Sequence, residues 1–374
     1  MLAAVRPWVL VAIVVLNAVL AGAMQHLAPS QPLRTDRKEY EYTGEHPLQP
    51  NCRNTIYCYR LVVPVMLHNI PGPWEQKWRA YQVIANAAAG ATLAVAAFEV
   101  LPLTIIPVLS TLIVQSSYGF TFTAYDPYTA DPMVFLWSAL LLLCWVRNRA
   151  SAAVLLALIG VFIKETVGLV ALSFVIAALL DRHRPLRWIW VLQGAAAAAV
   201  LLAFHYVMDT YYGWNTMAST AADFSKGSWI SICWRSNPSL MHKLLMLFSP
   251  FGFAWIFAVV GFFRAARKLR LLAIGVILPM LALVYVQTPE RALANAFFIV
   301  IPLAIARLYQ SPVLVALLAA TANGLVTAKQ GLSTPSLPST AGLLIPAAVS
   351  AAFVFWFTKP GYVEPEPEDR VHTA

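Results

Sequence analysis

The chain has 374 residues, of which 60% are hydrophobic and 11% charged, with a net charge of +9 and a mean hydropathy of +0.68. A soluble protein of this length needs far more polar surface, so the composition excludes a water-soluble globule and predicts an integral membrane protein. The basic residues sit in short loops between apolar runs, as in Arg147-Asn148-Arg149, Arg182-His183-Arg184 and Arg264 to Arg270. That is the positive-inside pattern, and it argues against nucleic acid as a partner.

The first apolar run, Trp8 to Met24, is long enough to span. Arg6 before it and Ala21-Gly22-Ala23 within it also suit a signal peptide. Its loss would disturb the charge distribution across the remaining loops, so it is read as a retained anchor. Further spans are expected at 78–97, 101–117, 132–147, 151–163, 166–180, 187–207, 243–263, 269–286, 293–308, 312–327 and 340–357. The fold class is therefore an all-α polytopic integral membrane protein with about 12 (roughly 10–13) transmembrane helices, several shorter than an ordinary span. Short helices are tolerated where a wide bundle surrounds a water-filled cavity. Residues 1–358 are read as a single transmembrane helical domain. It has a long first exoplasmic loop at 25–77 and a second at 208–242, and a disordered cytoplasmic tail at 359–374 follows it.

Lys164 and Glu165 lie in the middle of Ala152 to Leu180, a stretch with no other charge. As one spanning helix it would place both at the bilayer midplane, at roughly 2.5–3.5 kcal/mol per charge. It would also put Arg147 and Arg149 on the opposite face from Arg182 and Arg184. A helical hairpin avoids both consequences and places Lys164 and Glu165 at an exoplasmic tip. With the amino terminus inside, the inner segments hold thirteen Lys/Arg against six Asp/Glu, and the outer segments thirteen against eleven. Most of the outer basic residues lie in the two long loops, which constrain orientation less.

The outer face collects charges and aromatics. Asp36 lies about a dozen residues beyond the first span, where a carboxylate can act as a general base, hold a divalent metal, or pair with Arg34, Arg37 or Lys38. The apolar segment Ile56 to Leu67 is too short to span and suits an interfacial helix carrying Arg60. Asp126 and Asp131 each precede a proline; Asp131, at the start of an apolar run, has the pattern of an N-cap with proline at N1. Glu290 has a similar reading, with Thr288 as cap and Pro289 at N1. Arg291 suits bidentate binding of phosphate, or snorkelling to the interface. Adjacent residues do not face one another on a helix, so Lys164 and Glu165 are each expected to have another partner. Cys52 and Cys58 share the first outer loop and can form a disulfide in an oxidising compartment. The seven histidines show no metal-ligand spacing, and no phosphate-binding glycine loop or catalytic serine elbow is present.

Taken in order, these pieces resemble the GT-C superfamily of polytopic glycosyltransferases. The likeness rests on Thr35-Asp36 soon after span one, the segment Tyr59-Arg60-Leu61-Val62-Val63-Pro64, Tyr125-Asp126-Pro127 with Asp131 ahead of span four, the hairpin Ile159 to Thr166, and Glu290-Arg291 opening a late span. It covers most of residues 5–310. Better-known members often carry two acidic residues together in the first loop, whereas here Arg37 follows Asp36 and the next acid is Glu39. The resemblance implies transfer of a sugar from a polyprenyl-phosphate donor to an acceptor on the exoplasmic side of a bacterial inner (plasma) membrane, with both termini cytoplasmic. It implies Asp36 as catalytic base with Asp126 supporting it. Arg60, Lys164 and Arg291 would hold the lipid phosphate, with Asp131, Glu165 and Glu290 in the same substrate-binding group. Membrane lipid and the polyprenyl-phosphate sugar are the implied partners; no resident cofactor is implied beyond the divalent metal that Asp36 could hold. The alternatives are a secondary transporter of a small solute, a polysaccharide polymerase or ligase, and a non-catalytic membrane subunit.

Overall fold

The computed structural model describes residues 7–27, 35–50, 57–103, 105–214, 247–248, 250–252, 254–286 and 289–308. Among the described residues every regular element is helical and no strand occurs. In chain order the helices are α1 (Pro7–Leu27), α2 (Thr35–Glu45), α3 (Val62–His68), α4 (Trp74–Val100), α5 (Ile105–Gln115), α6 (Tyr118–Tyr125) and α7 (Asp131–Val146). They continue as α8 (Ala150–Gly160), α9 (Thr166–Leu180), α10 (Arg187–Tyr212), α11 (Ala254–Phe262), α12 (Arg267–Val286), α13 (Pro289–Ala294) and α14 (Phe297–Leu308). The spans expected at 312–327 and 340–357, the tail at 359–374, most of the loop 208–242, and Cys52 and Cys233 lie outside the described residues.

Among the described residues three helices, α1, α4 and α10, are long and apolar enough to cross a membrane, and α5 with α6 makes a fourth if the bent pair is one span. The others are shorter: α7 has 16 residues, α8 11 and α9 15. Exposed apolar side chains such as Val11, Val15 and Val19 on α1, Leu192 and Leu202 on α10, and Ile277 and Leu281 on α12 give the bundle an apolar outer surface. Such a surface suits lipid and is unfavourable in water.

Side-chain contacts show which way each helix runs. At one end, here the basic end, Arg147 Nε meets Glu99 Oε1 at 2.7 Å, Arg267 meets Asp181 at 3.4 Å, and Trp145 Nε1 donates to the Lys268 carbonyl at 3.2 Å. At the opposite end Asp131 meets Lys164 and Arg291, and Arg60 meets Glu165. Trp145 packs edge-on against the stacked pair Phe174 and Trp190 near the basic end, whereas Phe162 packs on Phe204 near the other. So α7 and α9 run towards the basic end, and α8 and α10 run away from it. Residues 151–180 form a helical hairpin with its tip at 161–165. At the tip the Gly160 carbonyl accepts from Ile163 N–H at 3.0 Å and Lys164 N–H at 3.3 Å. A Cβ at Gly160 would overlap the Val167 side chain and stand 2.9 Å from Trp137, so the turn needs glycine.

The structure departs from the sequence reading in several places. First, 101–117 does not continue as one helix: α5 ends at Gln115, and α6 leaves at 52°. Ser116 and Ser117 donate their hydroxyls to the Ile113 and Val114 carbonyls, drawing off acceptors the ladder would use. Pro250 O takes the Tyr118 N–H at 3.1 Å. Second, the first outer loop contains α2, which its dense charge conceals; Arg37 and Glu41 pair along it at 2.6 Å. Third, the expected interfacial helix is a 3-10 turn, Tyr57–Tyr59, followed by α3. Val63, Pro64 and Leu67 are buried, and α3 packs under α2, where Gly44 comes close to the Pro64 carbonyl. Fourth, α10 runs on to Tyr212 and ends at Gly213, whose φ of 67° is the left-handed conformation of a helix stop.

Cys58 is disulfide-bonded, and Cys144 is a free thiol.

Candidate functional site

The end of the bundle opposite the basic end gathers residues from segments far apart in sequence. Asp131 is the first residue of α7, with Ala130 in the N-cap position, and no side-chain cap is formed. The expected capping role is therefore replaced by ion pairing. One Asp131 oxygen binds the Lys164 ammonium, and the other takes Arg291 Nη2 at 2.8 Å. The backbone N–H of Asp131 donates to Thr129 Oγ1 at 3.2 Å, and Tyr81 accepts the Met133 N–H at 3.1 Å. These bonds fix the first turn of α7 and hence the carboxylate.

Glu165, next to Lys164, turns to a different partner. Arg60 forms a two-pronged contact with it, Nη2–Oε1 at 2.6 Å and Nε–Oε2 at 3.3 Å. Such a fork adds directional hold to charge attraction. Arg60 Nη1 also donates to the Tyr40 hydroxyl at 3.3 Å, so α2 joins the site. Arg37 on α2 lies over the Tyr128 ring at 5.2 Å, tying the same helix to the loop that carries Asp131. Around these groups Tyr40, Tyr57, Trp78, Tyr81 and Tyr128 form a continuous aromatic wall.

The electrostatics follow from burial. The Lys164 and Asp131 side chains are 4% and 8% exposed, whereas those of Arg291 and Glu165 are 31% and 40% exposed. The cluster thus has a dry core and one open side. Burial pulls the Lys164 ammonium below its ordinary value against the attraction of Asp131. Burial works against the charge on Arg60 too, but Glu165 and Tyr40 beside it hold the guanidinium above its ordinary value. Three cations, Arg60, Lys164 and Arg291, face two carboxylates, Asp131 and Glu165, so the group carries one surplus positive charge. Arg291 Nε is buried and has no hydrogen-bond partner. An arrangement of this kind attracts an anion.

Asp36 occupies the first turn of α2, four residues before Tyr40; its side chain lies outside the described atoms. Asp126 closes α6, its N–H donating to the Phe122 carbonyl at 2.8 Å, and it is buried. The carboxylate that binds Lys164 and Arg291 is Asp131 and not Asp126. Glu290 sits in the first turn of α13, where burial pushes its carboxyl up to about 7. Thr288, its expected cap, is outside the described residues. Among the described residues no group of three or more His, Cys, Asp or Glu could hold a metal ion, and cations occupy both Asp131 oxygens.

Sequence reasoning missed Tyr40, Tyr81 and Thr129, because nothing in their local pattern distinguishes them from other outer-loop residues. It also missed two polar groupings. Tyr59 donates to Asp209 and stacks on His205 at 4.0 Å between ring centroids. Deeper in the bundle, Asn17 binds Thr111 at 2.8 Å and Gln115 at 3.1 Å, and Asn86 binds Thr123 at 2.9 Å. One turn before Asn86, Gln82 is fully buried with neither side-chain amide atom hydrogen-bonded.

Comparison with family models, characterised proteins and solved structures finds no match to this chain.

Proposed function

We propose that the chain is a membrane glycosyltransferase-like protein of the GT-C type, which transfers a sugar from a polyprenyl-phosphate donor at the exoplasmic face. The observation that carries this reading is the surplus cation of the Arg60–Glu165 and Lys164–Asp131–Arg291 cluster, which reaches the surface at Glu165 and Arg291. The phosphodiester of such a donor bears one negative charge, which the surplus matches. In the reaction an acceptor oxygen attacks the anomeric carbon, and the bond from that carbon to the phosphate oxygen breaks. The polyprenyl phosphate leaves with the electron pair and gains negative charge. Fixed cations stabilise that developing charge more than they stabilise the bound donor, which is how they accelerate the step. The acceptor proton passes to Asp36, with Asp126 supporting it.

This reading takes the basic end as cytoplasmic. It includes about twelve spans, both termini inside and a bacterial inner membrane. A disulfide at Cys58 suits an oxidising compartment at the other end. Replacing Asp36 by Ala, with protein level unchanged, is expected to abolish sugar transfer; full turnover in that variant refutes its role as base.

A secondary transporter of a small solute is the second reading, favoured by the buried amides Asn17, Gln82, Asn86 and Gln115 inside the apolar bundle. Uptake of a labelled solute into vesicles, without sugar transfer, would decide for it.

A further inference from the structure

The basic end holds a second, separate group of cations, of which Arg184 is buried and Arg187 and Lys268 are half-buried. Arg184, only 7% exposed, lies between α9 and α10 with its guanidinium 3.4 Å from the Trp145 ring centroid and 5.4 Å from that of Trp190. Its Nη2 donates to the Trp145 carbonyl, and its Nε is buried without a partner. Arg187, the first residue of α10, spends Nη2 on the Leu179 carbonyl at 3.2 Å, and its Nε is likewise buried and unpartnered. Trp145 Nε1 donates to the Lys268 carbonyl, bringing the start of α12 to the same place. Two carboxylates lie nearby: Asp181 is engaged by Arg267 at 3.4 Å, and Glu99 is engaged by Arg147.

We propose that Arg184, Arg187 and Lys268 form a binding site for the headgroup of an anionic phospholipid at the basic end. Charge complementarity is the first argument: Arg184, Arg187 and Lys268 all lie at this end, and the two carboxylates beside them, Asp181 and Glu99, are already engaged by Arg267 and Arg147. Burial pushes the Arg184 guanidinium down to about 10, and the attraction of Asp181 offsets this only in part. The backbone adds to this, because α10 and α12 both begin here. No side chain caps α10, whose N-cap Leu186 has a φ of 55°, so its first N–H groups and helix dipole favour an anion. Lipid, and not a free anion, is the occupant because the site opens onto apolar surface. Leu186, Trp188 and Leu192 are 55%, 70% and 58% exposed beside Arg187, a headgroup-level tryptophan with aliphatic neighbours suited to acyl chains.

The test uses the full-length protein purified in a neutral detergent. Thermal unfolding is followed while phosphatidylglycerol, phosphatidylcholine or inorganic phosphate is added. Phosphatidylglycerol is expected to stabilise at concentrations well below those needed of phosphatidylcholine. In an Arg187→Gln/Lys268→Gln variant that preference should fall by about fivefold for each charge removed. Equal effects of the two lipids, an undiminished preference in the variant, or the same stabilisation by phosphate alone would each overturn the proposal. Should the variant fail to fold, native mass spectrometry of the wild-type protein from an equimolar lipid mixture decides. Selective retention of phosphatidylglycerol supports the site, and equal retention of both lipids rejects it.

Discussion

Replacing Asp131 by Asn removes the carboxylate that two cations share. Lys164 is the more sensitive partner, because its side chain is 4% exposed and Asp131 is the carboxylate it touches. Arg291, 31% exposed, can turn partly to water. Removing one member of a buried pair and stranding the other costs about 3–5 kcal/mol, and the Lys164 side accounts for most of that here. The cost is measurable as lost stability in detergent by thermal or denaturant unfolding. A double-mutant cycle with Lys164→Met isolates the pair: with both charges gone only the partly exposed Arg291 has lost a partner, so the double variant should be more stable than the sum of the single effects by about 1–3 kcal/mol. A single Asp131→Asn variant within about 0.5 kcal/mol of wild type, the range of an ordinary surface substitution, would refute the reasoning. Strictly additive changes would refute it as well.

Further outcomes are expected. Arg60→Lys keeps the charge but loses the fork on Glu165 and the bond to Tyr40, so donor binding should weaken by about tenfold, read by titration with a polyprenyl-phosphate analogue. Glu290 has a carboxyl raised from 4.5 to about 7, so the folded state keeps its proton longer than the unfolded chain does. The stability this confers is complete below about 4.5 and is lost by about 7 as pH rises; Glu290→Gln should remove that dependence from a pH series of melting curves. Gly275 packs against the Ser173 carbonyl, where a side chain would overlap backbone, so Gly275→Val should destabilise the α9–α12 contact by at least about 2 kcal/mol, seen in unfolding.

The membrane class and the hairpin at Lys164–Glu165 were legible in the sequence because both depend on where charges fall along apolar runs. The separate partners of Lys164 and Glu165 were expected from the divergence of neighbours on a helix; the two residues diverge as expected, but from the turn at the tip and not from a helix. Other features were hidden for physical reasons. Helix α2 carries so many charges that no apolar stripe marks it, and the Arg37–Glu41 pair was its one local sign. The break between α5 and α6 depends on two serine hydroxyls and on Pro250, more than 130 residues away. The role of Asp131 was masked by a cap-like pattern, Asp before Pro, that proteins use far more often for helix starts. Its true partners, Lys164 and Arg291, are brought to it only by the packing of α7, the α8–α9 tip and α13.

The most direct test of the central claim is the lipid that the protein carries. Native mass spectrometry of the wild-type protein, gently extracted from its membrane, should show a bound polyprenyl-phosphate sugar. That species should be lost in an Arg60→Gln/Arg291→Gln variant that retains its fold. Absence of such a lipid from the wild-type protein, or equal retention by the variant, would contradict the account.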